Sequence, residues 1–447
     1  MALQEMDKNR LALIQTFGCQ MNERDTETIM GLLAEQGYGF TNEPEEADLI
    51  LYNTCCVREN PERKVYGQVG LLKALKDEKP ELVIGICGCM PQQREELNVM
   101  IQRLPHVDLF FGTHNIHRLP ELLHKVEVTG EQVVEVWDEN DEPLEGLPAL
   151  RQSSLKAWIT IMHGCNNFCT YCIVPYVRGK EHSRTPKAII EEAQRLAADG
   201  IKEVTLLGQN VNSYGQDLGG ELDFAKLLAE VNKVEGLERI RFTTSHPKDV
   251  SDELIKALAD YDKVCEHLHL PVQAGSSKVL KRMNRGYDRE YYLRLVDKIR
   301  KAVPNISLTT DIMVGFPGET EADFLDTMAL VREVEYDAAF TFIYSKRKGT
   351  PATRMADHIS EEVKKDRIYR LIELQNAISL KGNQALVGST EEVLLESVSK
   401  GNPEMLTGKT RTAKNVLVKG DKNLIGQLVP VTIDEAGTWS LTGTVSS

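Results

Sequence analysis

Three cysteines, Cys165, Cys169 and Cys172, fall within eight consecutive positions of "IMHGCNNFCTYCIVPYVRG" (161–179). Thiols this close together can form a disulfide, ligate zinc or hold an iron–sulfur cluster. The N-terminal "MALQEMDKNR" lacks the apolar core of a signal peptide. No apolar run of about eighteen residues or more is present, so nothing is expected to span a membrane. A reducing, cytoplasmic location follows as the expectation, and there clustered cysteines bind metal more often than they form disulfides. Zinc sites usually draw four ligands from two pairs. The spacing here is C-x3-C-x2-C with no fourth cysteine nearby, and the preceding His163 is expected simply to be hydrogen-bonded. Three thiolates suit three irons of a cubane [4Fe–4S] cluster, which leaves the fourth iron open to an outside ligand.

Three further cysteines each follow a short apolar run. "LALIQT" (11–16) leads to Cys19 in "FGCQMN", "ADLILYN" (47–53) to Cys55 in "NTCCVREN", and "ELVIGIC" (81–87) to Cys89 in "GCMPQQ". Helical patterns such as "DTETIMGLLAEQG" separate these runs, the signature of a parallel sheet with helices on its faces. The carboxyl ends of parallel strands share one edge, where such folds bind ligands. Cys19, Cys55 and Cys89 are therefore expected to converge. Two spare cysteines complicate the set. Cys56 is expected to face away from Cys55, since neighbours on an extended chain point to opposite faces. Cys87 would share a face with Cys89 if the strand continued, so spacing does not choose between them. The spares and Cys265 are expected to pack as small hydrophobes.

The elements that must position the first triplet come next. Apolar runs recur six times between 151 and 382, at 157–162, 203–209, 239–244, 266–273, 307–316 and 338–345, with helical patterns between them. This α/β alternation predicts an incomplete (βα)6 barrel with its chemistry at the C-terminal strand ends. The triplet lies in the loop after the first of these strands. Gln209 and Asn210 end the second strand and Gln273 the fourth, placed either to hydrogen-bond a ligand or to cap their loops. "GFPGET" (315–320) lacks the Lys-Ser/Thr of a phosphate loop and reads as a turn. From 383 to 447 short β-prone runs separated by Gly, Asn and Asp predict a small all-β barrel. The expected organisation is an α/β domain over 9–126, a linker over 127–150, the barrel over 151–382 and the β domain over 383–447.

Charge is distributed unevenly. Residues 1–150 hold 27 acids and 13 bases, which accounts for the whole net charge of −14. Eight acids and no Lys or Arg lie in 127–145, read as a solvated stretch. Six bases against two acids lie in 400–422. Within it Lys409, Arg411, Lys414 and Lys419 are expected to meet RNA phosphates. Arg178, just past the triplet, is expected to contact substrate or another domain.

C-x3-C-x-aromatic-C after the first strand of a βα barrel resembles the radical S-adenosylmethionine (SAM) enzymes. "TFGCQMN", "NTCCVRE" and "GCM" ahead of that barrel, with a small β domain behind it, make the whole chain similar to the methylthiotransferases of that superfamily. "FGCQMN" and "LLGQNVNSYG" resemble its tRNA branch, which modifies isopentenyladenosine just 3′ of the anticodon. Sister branches act on threonylcarbamoyladenosine or on a ribosomal protein aspartate. The resemblance implies that Cys165, Cys169 and Cys172 hold the cluster that binds and cleaves SAM, and that Cys19, Cys55 and Cys89 hold an auxiliary [4Fe–4S] cluster. It implies that Tyr171 packs near the adenine of SAM, while the strand-end positions of Gln209, Asn210 and Gln273 suit hydrogen bonds to SAM or substrate. It further implies two SAM molecules per turnover, a terminal RNA-binding TRAM domain, and reduction by a flavodoxin- or ferredoxin-like protein.

Overall fold

The computed structural model describes residues 10–56, 59–139, 145–151, 153–219 and 222–446. Val57 and Arg58 of the second cysteine motif and residues 140–144 of the acidic stretch lie outside the described residues.

The N-terminal domain is one sheet of six parallel strands in the order Tyr38–Phe40, Arg10–Thr16, Leu49–Thr54, Val83–Gly88, Leu109–Phe111, Val133–Glu135. The two central strands are buried at every residue, because helices cover both faces and near-continuous apolar runs suit that environment. The stretch expected as a solvated linker needs correcting. Leu119–Thr129 is helical, and Val133–Glu135 is the sixth strand, paired with Leu109–Phe111. Further on, the chain is pinned between domains: the Leu150 amide donates to the Glu27 carbonyl at 2.9 Å, and Arg151 pairs with Glu192 at 2.6 Å and with Glu27.

The central region contains all six expected strands. Lys156–Thr160, Glu203–Leu207 and Arg239–Phe242 form one parallel arc; His267–His269, Ser307–Val314 and Ala338–Ile343 form a second. An isolated parallel bridge between Ile240 and Val264 joins them into an open barrel. Thr185, Asp223, Ser251, Asp288, Thr320 and Ser360 each accept from a backbone N–H at the start of the helix that follows, which satisfies donors those helix ends would otherwise leave free. Helix Glu361–Gln384 then leads to a closed five-stranded barrel formed by Thr390–Val398, Met405–Thr410, Asn415–Lys419, Leu428–Ala436 and Leu441–Val445. Its core is Val393, Leu395, Leu406, Val416, Val418, Val431 and Ile433. Among the described residues no helix is long and apolar enough to cross a membrane.

The C-terminal barrel docks against the N-terminal ends of the central strands, opposite the cysteine loop. Arg239, fully buried at the start of its strand, donates to the carbonyls of Lys409 and Glu392 at 2.8 and 2.9 Å. Arg241 donates to the carbonyls of Thr410 and Arg411. In return Arg411 pairs with Glu266 at 2.8 Å, and Lys414 with Asp337 at 2.6 Å. Lys409 is partly buried beside Lys156 and Arg241, and burial lowers its pKa. Three of the four bases expected on RNA are thus occupied in the domain interface. Lys419, at a strand end, stays exposed.

Two outcomes follow from this interface. Arg239→Met leaves the Lys409 and Glu392 carbonyls without their donor, at about 1–3 kcal/mol for each group left unpaired. Faster proteolysis between helix Glu361–Gln384 and strand Thr390–Val398 is the expected readout. His267, at the same end, is held neutral: burial, with Arg241 nearby, lowers its pKa to about 3. The unfolded chain binds that proton below about pH 6.5, so stability present above that pH is lost as pH falls towards the folded value. His267→Gln is expected to flatten the fall in melting temperature between about pH 6.5 and 4; an unchanged slope counts against the assignment.

Candidate functional site

The N-terminal trio lies at the carboxyl ends of three adjacent strands. Cys19 caps helix Gln20–Glu35 and is exposed; Cys55 and Cys89 directly follow Leu49–Thr54 and Val83–Gly88 and are buried. Gly18 crosses so closely over Cys55 that a Cβ at position 18 would lie 2.5 Å from the Cys55 Cβ. With φ at +125° as well, that position requires glycine. Asn22, one helical turn after Cys19, frames the trio. Its Nδ2 donates to the carbonyls of Phe17 and Thr54 at 2.8 and 2.9 Å. Its Oδ1 faces the Cys19 and Cys89 sulfurs at 3.9 and 4.0 Å.

The spare cysteines separate by face. Gly88, at φ +91°, breaks the strand's alternation. Cys87 then packs in the apolar cluster with Leu49 and Leu109, while Cys89 joins the opposite cluster with Met90, Ile173 and Val177. Cys56 lies in that second cluster too, and its thiol hydrogen-bonds to Cys89. That contact, helped by Arg178, lowers the Cys89 pKa to about 6. Cys56 is therefore more than a small hydrophobe. It stands beside the site.

The barrel trio sits in a loop clamped by its surroundings. Gly164, at φ +74°, passes so close to the Lys180 carbonyl that no side chain fits. Phe168 adopts φ +46°. The Thr170 hydroxyl donates to the Arg282 carbonyl at 2.9 Å, and Asn284 donates to the Phe168 carbonyl at 3.1 Å. Asn167 Nδ2 donates to Cys165 Sγ, and Arg285 Nη1 to Cys169 Sγ, each at 3.4 Å. Burial pushes the Cys165 thiol up to about 11 and Cys172 up to about 12. Metal binding there must displace protons.

One short segment joins the two trios. Ile173 and Val177, immediately after Cys172, pack in the N-terminal domain's core beside Cys56 and Cys89. Arg178, 6% exposed, donates to Asn22 Oδ1 at 2.8 Å and to Asp25 Oδ2 at 2.6 Å. It is a buried interdomain contact, not a group offered to RNA. Among the described residues no three His, Cys, Asp or Glu side chains are grouped to hold one metal ion. Polynuclear clusters place each thiolate on a different iron. Six soft sulfur donors, two of them accepting from Asn167 and Arg285, fit such clusters.

At the C-terminal ends of the second and third strands, four buried polar atoms lack partners: Gln209 Oε1, Asn212 Oδ1, Ser245 Oγ and His246 Nε2. Orphaned polar groups gathered at a barrel mouth fit a polar ligand. The His246 Nδ1 accepts from the Lys248 amide, so its Nε2 carries the hydrogen. Burial lowers its pKa to about 2 and keeps the ring neutral. Sequence reading missed Ser245, His246, Asn22 and Arg285; "TTSHP" after the third strand and "CQMN" were the available signals. Asn210 takes the loop-capping role. Its Nδ2 donates to Asp249 at 2.7 Å and its Oδ1 accepts from the His246 amide, so it braces the loop. Gln273 sits at φ +71° in the bridge to Ile312, 8% exposed. Tyr171, partly buried, faces Arg285 at 3.3 Å.

The chain is similar to known proteins along nearly its whole length. Residues 159–331 match the radical SAM superfamily, 12–112 the uncharacterized protein family UPF0004 and 384–446 the TRAM domain. The tRNA-2-methylthio-N(6)-dimethylallyladenosine synthase of Acetivibrio thermocellus is 56% identical over 438 residues, covering 98% of this chain and 91% of that protein. Its counterpart in Clostridium botulinum strain Okra is 55% identical over 430 residues, 96% of each chain. The radical S-adenosylmethionine methyltransferase TsrM of Kitasatospora setae, solved with tryptophan substrate and a SAM analog, has a TM-score of 0.55 at 14% identity. That likeness covers 86% of this chain and 78% of TsrM and is one of fold alone. With that identity across nearly the full chain, and with both cysteine trios set at strand ends, this chain belongs to the tRNA-2-methylthio-N(6)-dimethylallyladenosine synthase family of radical SAM enzymes.

Proposed function

We propose that this chain adds a methylthio group to C2 of N6-isopentenyladenosine just 3′ of the tRNA anticodon, using two [4Fe–4S] clusters and two molecules of SAM. The observation that carries the reading is the segment Ile173–Arg178, which starts at one thiol trio and ends buried beside the other. Cys165, Cys169 and Cys172 would hold the cluster that binds SAM, and Cys19, Cys55 and Cys89 the auxiliary one. When bound, the first supplies the electron that cleaves SAM to a radical able to attack an unactivated aromatic C–H, and the second supplies a position for the incoming sulfur. The protein's part is placement, since a reactive radical must meet its target before anything else. Gln209, Ser245, His246 and Gln273 offer hydrogen bonds at the mouth, and Tyr171 a face for adenine. Lys419 remains from the expected RNA contacts, and exposed Lys400, Lys422 and Trp439 join it. A flavodoxin- or ferredoxin-like protein supplies electrons, and the cytoplasm supplies the reducing setting.

Anaerobic reconstitution tests the two clusters. Wild type is expected to carry about eight irons, and Cys19→Ala and Cys165→Ala about four each; an undiminished count in either variant removes that trio from the proposal. Nucleosides from a deletion strain should accumulate isopentenyladenosine lacking the methylthio group. Wild-type chain restores the modification, and Cys165→Ala does not.

RNA binding has its own readout. Lys400→Ala, Lys419→Ala and Lys422→Ala should each weaken tRNA binding and reduce its logarithmic salt slope by about one unit for each phosphate no longer neutralised. Arg411→Ala should instead loosen the domain interface. Equal salt slopes in all four variants would refute this division.

A further inference from the structure

Arg285 lies in the turn between helices Ser277–Arg282 and Arg289–Ala302 and is 5% exposed. Its guanidinium is held by fixed partners. Nη2 donates to the Pro271 carbonyl at 2.9 Å and Nε to the Tyr287 hydroxyl at 3.0 Å. Tyr287 in turn donates to the carbonyls of Pro271 and Val272. The remaining nitrogen, Nη1, points into the cysteine loop, 3.4 Å from Cys169 Sγ and 3.3 Å from Tyr171 Oη.

A buried cation without a counter-ion is costly. Among the described residues the ionisable groups near Arg285 include Tyr171, Tyr287, Cys169, Cys172 and His246, and it makes no ion pair with a carboxylate. Arg178, beside the other trio, differs. Its charge is matched by Asp25 at 2.6 Å. The two guanidiniums are not equivalent, and the one at the barrel trio retains its full charge for whatever the thiolates carry.

We propose that Arg285 is a positioning residue for the barrel cluster: through its hydrogen bond to Cys169 it fixes that thiolate and raises the cluster's reduction potential. The inference rests on the cluster assignment proposed above. One-electron reduction by a low-potential donor, flavodoxin-like or dithionite, adds one negative charge to the cluster and requires no proton. A fixed cation at hydrogen-bond distance from a ligand sulfur stabilises the reduced state more than the oxidised one. Because the guanidinium is already held by Pro271 and Tyr287, it needs no reorganisation when the electron arrives.

The test uses the full chain, reconstituted anaerobically, with the Cys19→Ala substitution to leave only the barrel cluster's signal. Iron content, SAM affinity and the midpoint potential from an EPR-monitored titration are measured for Arg285, Arg285→Gln and Arg285→Lys. Arg285→Gln is expected to keep its iron and SAM affinity while its midpoint moves to more negative potential. Arg285→Lys should show a smaller shift in the same direction, since an ammonium keeps the charge but not the fork. A midpoint equal to that of the Arg285 protein in either assembled variant overturns the proposal. So does a tenfold loss of SAM affinity with an unmoved midpoint, which would place Arg285 on SAM instead of on Cys169. If Arg285→Gln fails to assemble, the lysine variant decides. Absence of iron from the Cys19→Ala protein with Arg285 intact would refute the cluster assignment itself, a separate failure.

Discussion

Arg178 leaves the barrel's cysteine loop and ends in the neighbouring domain, where Asp25 and Asn22 receive it. Removing one partner of such a buried pair costs about 3–5 kcal/mol, because the other charge is left without solvent or counter-ion. Any sliding of one domain on the other would incur that cost, so the two strand-end edges are held as one body. Asn22 extends the constraint inward: the side chain that accepts from Arg178 also donates to Phe17 and Thr54, the backbone leading into Cys19 and Cys55. The position of one trio relative to the other thus depends on one guanidinium and one amide.

The sequence made the frame legible because its signals were local. Each central strand was an apolar run bounded by turn residues, and all six are present, as are the three that lead to Cys19, Cys55 and Cys89. Short strands such as Tyr38–Phe40, Leu109–Phe111 and Val133–Glu135 were not legible, since three residues are too few to show a period. The choice between Cys87 and Cys89 depended on a backbone twist at Gly88, which alternation could not foresee. Arg285 is more than a hundred residues from Cys169 in sequence and no motif announces it. Asn210 and Arg411 were legible as polar residues in useful places, but which partner each takes is a tertiary fact.

Charge summed along the chain misleads in the same way. The acidic first third looks hostile to a polyanion, yet Asp25, Glu27 and Glu145 meet Arg178, Arg151 and Arg184 across the domain boundary. Part of the surplus is complementarity between two halves of one protein. The basic 400–422 stretch makes the converse case: Arg411 and Lys414 answer Glu266 and Asp337 on the central barrel. What remains outward there is a smaller basic face than composition implied.

The location of that face constrains the proposed chemistry. The C-terminal barrel contacts strand-start residues such as Arg239 and Arg241, whereas the cysteine loop follows the end of the first strand. In the proposed function, an RNA that binds the C-terminal barrel must reach from the strand-start side of the central barrel to present a base at its mouth, which suits a stem-loop. Phosphate contacts far from the reacting atom supply affinity and register without reading the base. In the proposed function, discrimination would fall to the polar atoms at the mouth, Gln209, Asn212, Ser245 and His246, whose unmet hydrogen bonds would make an ill-fitting base costly.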